Sequence, residues 1–358
     1  MHGSCHSKGQ YMKTAILAVF LFLVMIFPHE LGHFIAARKC GVQVNEFSFG
    51  MGPAIWKKQK GETLYAIRVF PIGGYCAMEG EDGQEDEEDS AGNLVPREYN
   101  PRAFNNKKPW QKIIILAAGS FMNVVCAFLI LAILVTYLGF TTTTIGGVTP
   151  GSPAEAAGLL AGDKVTAING EELKSWDQLS LSIQEGQGAD LTLSVERGNE
   201  DLELTLTPSF DEESQRYMIG TYSKVSHNPI KAVRAAFVGT YRLFGVMYDS
   251  LKMLITGGAS LEDVSGPVGI VQMVGETSSQ GLWSYGFLMA LICVNLAVIN
   301  MLPLPALDGG RILIVLFGWI TKKSVSPKVE GIIHAVGMVL ILGLAVLITF
   351  NDIGRLAG

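Results

Sequence analysis

Four stretches of the chain are apolar over lengths that a soluble core does not need, and they limit the fold before any motif is considered. The first is unbroken from 15 to 27 and continues at helical spacing through Leu31, Phe34, Ile35 and Ala37; the others cover 113–140, 285–302 and 332–350. At about 1.5 Å per residue, each can cross a hydrocarbon layer roughly 30 Å thick. Of the 358 residues, 49% are hydrophobic and 17% charged, the balance expected of a polytopic α-helical membrane protein with about four transmembrane helices. Pro303 and Pro305 interrupt the third run, and the apolar stretch 312–320 beyond them is expected to continue that element as a short buried helix.

Basic residues beside the spans set the expected orientation. Arg38, Lys39, Lys107, Lys108 and Lys112 lie between the first and second spans, and Arg311, Lys322, Lys323 and Lys328 between the third and fourth, which puts both connections on the cytoplasmic side. The segment 141–283 is then extracytoplasmic, as are both termini. The net charge of -6 comes largely from an acidic cluster at 79–89, expected to be a solvated loop, and gives no ground for nucleic-acid binding. Five cysteines without CxxC spacing indicate neither a disulfide framework nor a thiolate metal site. Residues 1–12 are expected to form an N-terminal extension and 13–38 a retained first anchor.

Between the first two spans, 47–49, 54–56 and 64–70 are strand-prone and are punctuated by Gly50, Gly52, Pro53 and Lys60-Gly61. They are expected to form a membrane-associated β-hairpin within the loop 41–110; a small cytosolic domain packing on itself is the alternative. Further on, strand-like runs at 164–168, 191–196 and 202–206 surround a helix candidate at 176–184. The sequence SPAEAAGLLAGDKVTAINGEEL, from Ser152 to Leu173, resembles the core of bacterial PDZ domains, with 154–157 as a short helix, Gly162-Asp163 as a turn into a strand and Asn169-Gly170 as a tight turn. An inserted α+β PDZ domain is therefore expected over 143–222, a fold that implies binding rather than catalysis. In the following region, 223–283, Lys231, Arg234, Arg242 and Lys252 fall among Val233, Phe237, Tyr241, Phe244 and Met247. This basic amphipathic helix is expected on the membrane surface; a fifth span is the competing expectation.

The chemistry sits inside the first apolar run, where His29, Glu30 and His33 form HELGH, the HExxH pattern. Residues four apart on a helix differ by about 40° in direction, so both imidazoles project from one face at a spacing suited to one zinc ion. The adjacent Glu30 can reach a water instead of the metal and act as its base. Chance accounts poorly for this pattern, because ionisable side chains in a membrane helix carry a cost unless they are paired or solvated.

A catalytic zinc site needs a third protein ligand and an open fourth position. Asp308 is the strongest candidate, because it stands in NMLPLPALDGGR where prolines break the third span and polar backbone can line a cavity. An N-cap role for Asp308 is the structural alternative. Glu46, thirteen residues beyond His33, is the competing ligand.

HELGH in a first span, a PDZ insert and LDGG after a third together resemble the bacterial site-2 protease family, the RseP and RasP type of intramembrane zinc metalloprotease, here in its one-PDZ form. The likeness runs over 12–350 and includes GGYCAMEGED at 73–82, AFNNK at 103–107 and SGPVGI at 265–270. It implies Zn2+ held by His29, His33 and Asp308, Glu30 as general base, and Asn300, Pro303 and Pro305 close to the substrate. The hairpin would pair with the unwound substrate, and the PDZ domain would act as a size filter. The resemblance also implies a multi-pass protein of the bacterial inner membrane, in contact with the lipid bilayer, with its PDZ domain extracytoplasmic and its active site near the cytoplasmic side. The implied substrates are transmembrane segments of single-span proteins, such as anti-sigma factors and remnant signal peptides, already trimmed by an upstream site-1-type protease. The remaining segments are then 111–140 and 284–302 as second and third spans, 303–329 as the LDG motif with its cytoplasmic loop, and 330–350 as the fourth span. Where the family commonly has Gly-Pro in the second span, this chain has Gly119-Ser120, with Asn123 retained; Arg311 follows LDGG where some members have histidine. A zinc transporter, keeping metal flux without Glu30, and a membrane-anchored PDZ adaptor binding no zinc share parts of the pattern.

Overall fold

The computed structural model describes residues 3–81, 87–88, 94–95, 99–212, 214–258, 265–323 and 325–357. Along the chain run α1 (Gly3–Lys39), β1 (Val44–Lys60), β2 (Thr63–Met78), α2 (Pro109–Leu138), β3 (Phe140–Val148), α3 (Pro153–Ala156), β4 (Lys164–Ile168), α4 (Trp176–Glu185), β5 (Leu191–Arg197), β6 (Glu200–Leu206) and β7 (Thr221–Ser226). Five helices follow: α5 (Pro229–Thr256), α6 (Pro267–Gln280), α7 (Leu282–Asn300), α8 (Asp308–Thr321) and α9 (Pro327–Ala357). Among the described residues, four helices are long and apolar enough to cross a membrane: Gly9–Lys39, Pro109–Leu138, Leu282–Asn300 and Lys328–Arg355. The chain divides into a helical unit, Met1–Leu131 with Ala236–Gly358, and a second unit, Ala132–Ala235.

In the helical unit, small residues let helix backbones approach, as expected where lipid removes the hydrophobic drive between helices. Gly32, the glycine of HELGH, lies against α2 so closely that a side-chain carbon there would stand 2.7 Å from the Ala118 carbonyl carbon and 2.9 Å from Met122 Cγ. Pro28 lies inside α1 and has no N–H to give to the carbonyl of Val24 one turn back. The Cys126 thiol of α2 turns to that freed oxygen at 3.7 Å. On the other side of α1, Tyr285 of α7 donates to the Leu17 carbonyl at 2.8 Å, and Ala18 and Leu21 share a buried cluster with Val274, Tyr285, Leu288 and Ile292.

The strand region is longer and more folded than the expected hairpin. Residues 56–60 lie opposite 63–67 across the Gly61 turn, but 46–49 lie opposite both 74–77 and 64–67. Breaks near Gly50, Gly52 and Gly73, all with positive φ, let the ribbon turn back on itself into four paired segments. Its base packs with both helix ends, since Val42, Val44, Cys76 and Met78 share a core with Ala37, Ile115, Leu116 and Ile312. Phe104 of the AFNNK stretch is buried in the same core, and its N–H donates to the Glu79 carbonyl at 2.7 Å. The far end exposes Met51, Ile55, Trp56, Ile67, Val69 and Phe70, a row that suits a bilayer better than water. The acidic loop expected near 79–89 lies outside the described residues from 82 on, apart from the backbone pairing of 87–88 with 94–95.

One expectation holds only in part at 312–320: the short helix forms, but most of it is not buried. The chain does not carry α7 onward as a buried helix; it breaks over 301–307 and restarts as α8. Gly309, Gly310 and Ile312 are buried and Val315 and Leu316 pack partly against the same core, whereas Phe317, Trp319 and Ile320 are exposed. The two prolines prevent continuous helix, and the apolar outer face of the short α8 is not covered by the described residues. The amphipathic stretch forms α5 as one 28-residue helix that is not among the span candidates, and α6 is an additional helix between it and α7.

The Ala132–Ala235 unit holds an antiparallel sheet in the order β7-β3-β4-β5-β6 with α3 and α4 beside it, the PDZ-type α+β arrangement. Alternate residues of β5, Leu191, Leu193 and Val195, enter a core with Val165, Ile168, Leu179, Ile183 and Ile219. Each such side chain contributes about 1.5–3 kcal/mol of burial. Ser152 and Ser175 cap α3 and α4 through the N–H groups of Glu155 and Gln178. The Asn169-Gly170 turn has φ of 51° and 82°, as the tight turn requires.

Candidate metal centre

Three polar atoms from two distant stretches converge inside the helical unit. Nε2 of His33 and Nε2 of His29 are 3.2 Å apart, and Asp308 Oδ2 lies 3.4 Å from the first and 3.5 Å from the second. Ligands about 2.0–2.1 Å from a tetrahedral zinc stand roughly 3.3–3.4 Å from one another, so this triangle has the edge lengths of one face of a zinc tetrahedron. Asp308 Oδ2 is buried and has no hydrogen-bond donor. Left so, an anionic oxygen would be costly; a cation among the three atoms removes the cost. The residues present therefore fit a zinc ion.

Each ligand is held by a specific backbone feature. Nδ1 of His33 contacts the Ile115 carbonyl at 2.9 Å; donation to that oxygen leaves Nε2 with its lone pair for metal. Gly119 of α2 roofs the pair, and a side-chain carbon there would lie 2.7 Å from His29 Cε1 and 2.8 Å from His29 Nδ1. The glycine is thus kept free of a side chain by the two imidazoles, which gives the Gly119-Ser120 position a role independent of the missing proline. Asp308 is the first residue of α8; the N-cap position belongs to Leu307, which makes no side-chain cap bond. Gly309 and Gly310 follow because a side-chain carbon on either would run into the carbonyls of Met301, Leu302 and Leu304 where the chain folds back. Arg311 forms an ion pair with Glu81, three residues past the end of β2, joining α8 to the segment that leaves the sheet.

The competing ligand Glu46 is engaged elsewhere, accepting from Arg68 at 2.6 Å and from the Tyr75 hydroxyl at 3.1 Å. Glu30, one residue from His29, is half-buried; its carboxylate feels His33, Asp308 and the Cys76 backbone amide, and β2 can pass beside it because position 74 is glycine. Burial pushes the neighbouring Cys76 thiol up, so it stays protonated and is no rival nucleophile. Of the three residues expected near substrate, Asn300 reaches the centre, with Nδ2 3.4 Å from His29 Nε2. Pro303 is exposed, and Pro305 abuts Gly337 of α9.

Sequence reasoning gave no role to Asp352 or His334. The buried Asp352 accepts from the Gly266 and Gly269 N–H groups at 3.0 and 2.8 Å, so SGPVGI is the start of α6 fitted around a carboxylate from α9. His334 accepts from Ala306. His334 interrupts the last apolar run and Asp352 stands two residues past its end; a polar residue buried in such a segment is a signal in itself.

Peptidase family M50 matches residues 17–344. A Clostridium perfringens protein named as a zinc metalloprotease is 37% identical over 341 residues, covering 94% of this chain and 98% of its own. The zinc metalloprotease RasP of Shouchella clausii is 30% identical, over 96% of this chain and 100% of its own. The regulator of sigma-W protease RasP of Bacillus subtilis is 28% identical, over 97% and 99%. Among solved structures, a PDZ domain of an SdrC-like protein from Listeria monocytogenes aligns with 24% of this chain and 88% of its own, at 22% identity and a TM-score of 0.21. With its four apolar spans and full-length relatives, this chain is a membrane-integral zinc metallopeptidase belonging to peptidase family M50, the site-2 protease family.

Proposed function

We propose that the chain hydrolyses peptide bonds within transmembrane segments of single-span proteins, with His29, His33 and Asp308 as zinc ligands and Glu30 as general base. The observation that carries this is the near-equilateral triangle of ligand atoms at membrane depth with a carboxylate beside it. Zinc held there supplies Lewis acidity, polarising a peptide carbonyl and acidifying water. Glu30 takes the proton as water attacks and returns it to the departing amine. Asn300 holds its amide donor at the edge of the centre, where it can orient a substrate carbonyl, and Pro303 and Pro305 keep the adjacent chain out of helix so that substrate can lie along it.

A helix must give up internal hydrogen bonds before its carbonyls can be reached, and the segment 74–77 offers compensation. It pairs with 46–49 along one side, and its Gly74 passes Glu30 so closely that a side-chain carbon there would stand 3.2 Å from Glu30 Cγ. An unwound substrate strand added to this edge is presented to the base and the metal together.

The basic flanks of the spans support a cytoplasmic position for the centre and an extracytoplasmic one for the PDZ domain at 143–222. In that orientation the PDZ domain acts as a size filter and substrates arrive already trimmed by an upstream protease. Anti-sigma factors and remnant signal peptides are the substrate classes, supported by the sigma-W name of the Bacillus subtilis relative.

The test is cleavage of model transmembrane peptides by reconstituted protein. Wild type cuts, while Glu30→Gln and Asp308→Asn do not; turnover by Glu30→Gln equal to wild type removes the proposed base. For the filter, deletion of 145–222 should raise cleavage of full-length substrate relative to trimmed substrate, and an unchanged ratio rejects that role.

A further inference from the structure

We propose that His334 of α9 is a positioning residue for the metal centre, acting through the turn that delivers Asp308. The inference rests on Asp308 being a zinc ligand. Ala306, two residues before it, has φ of 71°, the left-handed region that a side chain other than glycine enters only at a cost. Its N–H donates to Nδ1 of His334 at 3.0 Å. One helical turn further along the same face of α9, Gly337 admits Pro305 so closely that no side chain could stand between them. The turn before the ligand is therefore gripped from α9 at two consecutive residues, by a hydrogen bond and by direct backbone contact.

The grip matters because local hydrogen bonding holds residues 305–308 only weakly. Pro305 has no N–H, Leu307 offers only a 3.3 Å bond to the Leu304 carbonyl, and Asp308 Oδ2 has no donor to aim it. A cavity of about 330 Å3, lined by Ala306, Asp308, Arg311, His334, Ala335 and Met338, lies beside the turn and leaves it room to relax. If the Ala306 N–H lost its acceptor, the strained φ would have no compensation and Asp308 would swing toward that space. An acceptor Nδ1 places the ring proton on Nε2, which makes no hydrogen bond and stands 3.9 Å from Glu330 Oε1; the bond from the Ala306 N–H is what orients the imidazole, without any contact to the metal.

The chemistry dictates the variants. Asparagine puts an amide oxygen where Nδ1 stands and preserves the acceptor, whereas phenylalanine keeps the ring and removes it. Purified full-length protein loaded with zinc is challenged with a chelator, and the rate of zinc release is measured together with kcat and KM on a transmembrane peptide. His334→Phe should release zinc about ten- to a hundred-fold faster, the range seen when groups supporting a ligand are removed, and should lose kcat with KM little changed. His334→Asn should stay within about two- to three-fold of wild type. If His334→Phe does not accumulate, His334→Gln serves in its place, because its amide projects toward the Nε2 position and misses Ala306; the expected result is again faster release than for asparagine.

Release at the wild-type rate from His334→Phe, or equal losses in the asparagine and phenylalanine variants, overturns the proposal. Asp308→Asn, measured in parallel, separates the two levels. If it retains zinc as wild type does, the ligand assignment fails; if it loses zinc while His334→Phe does not, only the role of His334 fails.

Discussion

In the Ala132–Ala235 unit, the buried Asp163 accepts from Arg197 Nε at 2.8 Å, from Arg197 Nη2 at 2.7 Å and from the Leu160 N–H at 2.8 Å. In the helical unit, Asp308 Oδ2, Ser120 Oγ, both amide atoms of Asn123 and His334 Nε2 are buried without a hydrogen-bond partner, and among the described residues all such atoms belong to this unit. Both arrangements bury polar groups, yet only one completes their bonding. A satisfied carboxylate fixes a fold; buried groups left without a partner in the helical unit are open to completion by a metal, a water or a substrate.

The largest effect that should follow from this contrast is at Glu30. Its amide variant keeps its shape but cannot take a proton, so Glu30→Gln should cut turnover by about 10²- to 10⁴-fold, while zinc content by elemental analysis stays at the wild-type level. Loss of zinc in that variant would make Glu30 a ligand rather than a base.

Gly119→Ala comes next. The added methyl must displace the imidazoles or part α1 from α2, an overpacking strain of about 1–3 kcal/mol, and it falls on the centre rather than on the fold. Zinc occupancy should drop markedly with little change in helix content by circular dichroism, whereas unaltered occupancy would mean that the roof over His29 and His33 is looser than the distances indicate.

In the second unit the same kind of change should affect stability alone. Arg197→Ala leaves the Asp163 carboxylate buried with fewer donors and should destabilise the unit by about 1–3 kcal/mol, seen as faster amide exchange in β4 of the full-length protein, with zinc content unaffected. The smallest effect is one of pH. The Arg197 guanidinium holds the Asp163 carboxyl below the usual carboxylate range. Because the folded pKa is the lower one, its stabilisation is complete above the unfolded value of about 3.9 and is lost as pH falls through the folded value. Protection of β4 should therefore be insensitive to this pair from neutral pH down to about 4 and weaken below it, and Arg197→Ala should flatten that acid dependence.

The legible parts of the molecule were those written locally. Span length, the HELGH spacing and the Asn169-Gly170 turn each lie within a few residues of sequence, and the structure forms them there. Asp308 was legible through Pro303, Pro305 and the LDGG likeness. The roof at Gly119, the clamp at Ala306 and the Asp352 cap of α6 join segments 28 to 271 residues apart in the same manner as Asn300 and His29, so no local pattern announces them. Helix 312–320 was misjudged as buried for a related reason: apolar sequence does not distinguish a face covered by protein from one covered by lipid.

The most direct measurement is X-ray absorption at the zinc edge on the purified full-length protein. The account predicts one zinc per chain with a shell of nitrogen and oxygen only at about 2.0–2.1 Å, containing two imidazoles, one of which disappears in His33→Ala. Absence of zinc, a sulfur ligand at about 2.3 Å, or an unchanged spectrum in His33→Ala and Asp308→Asn would contradict it.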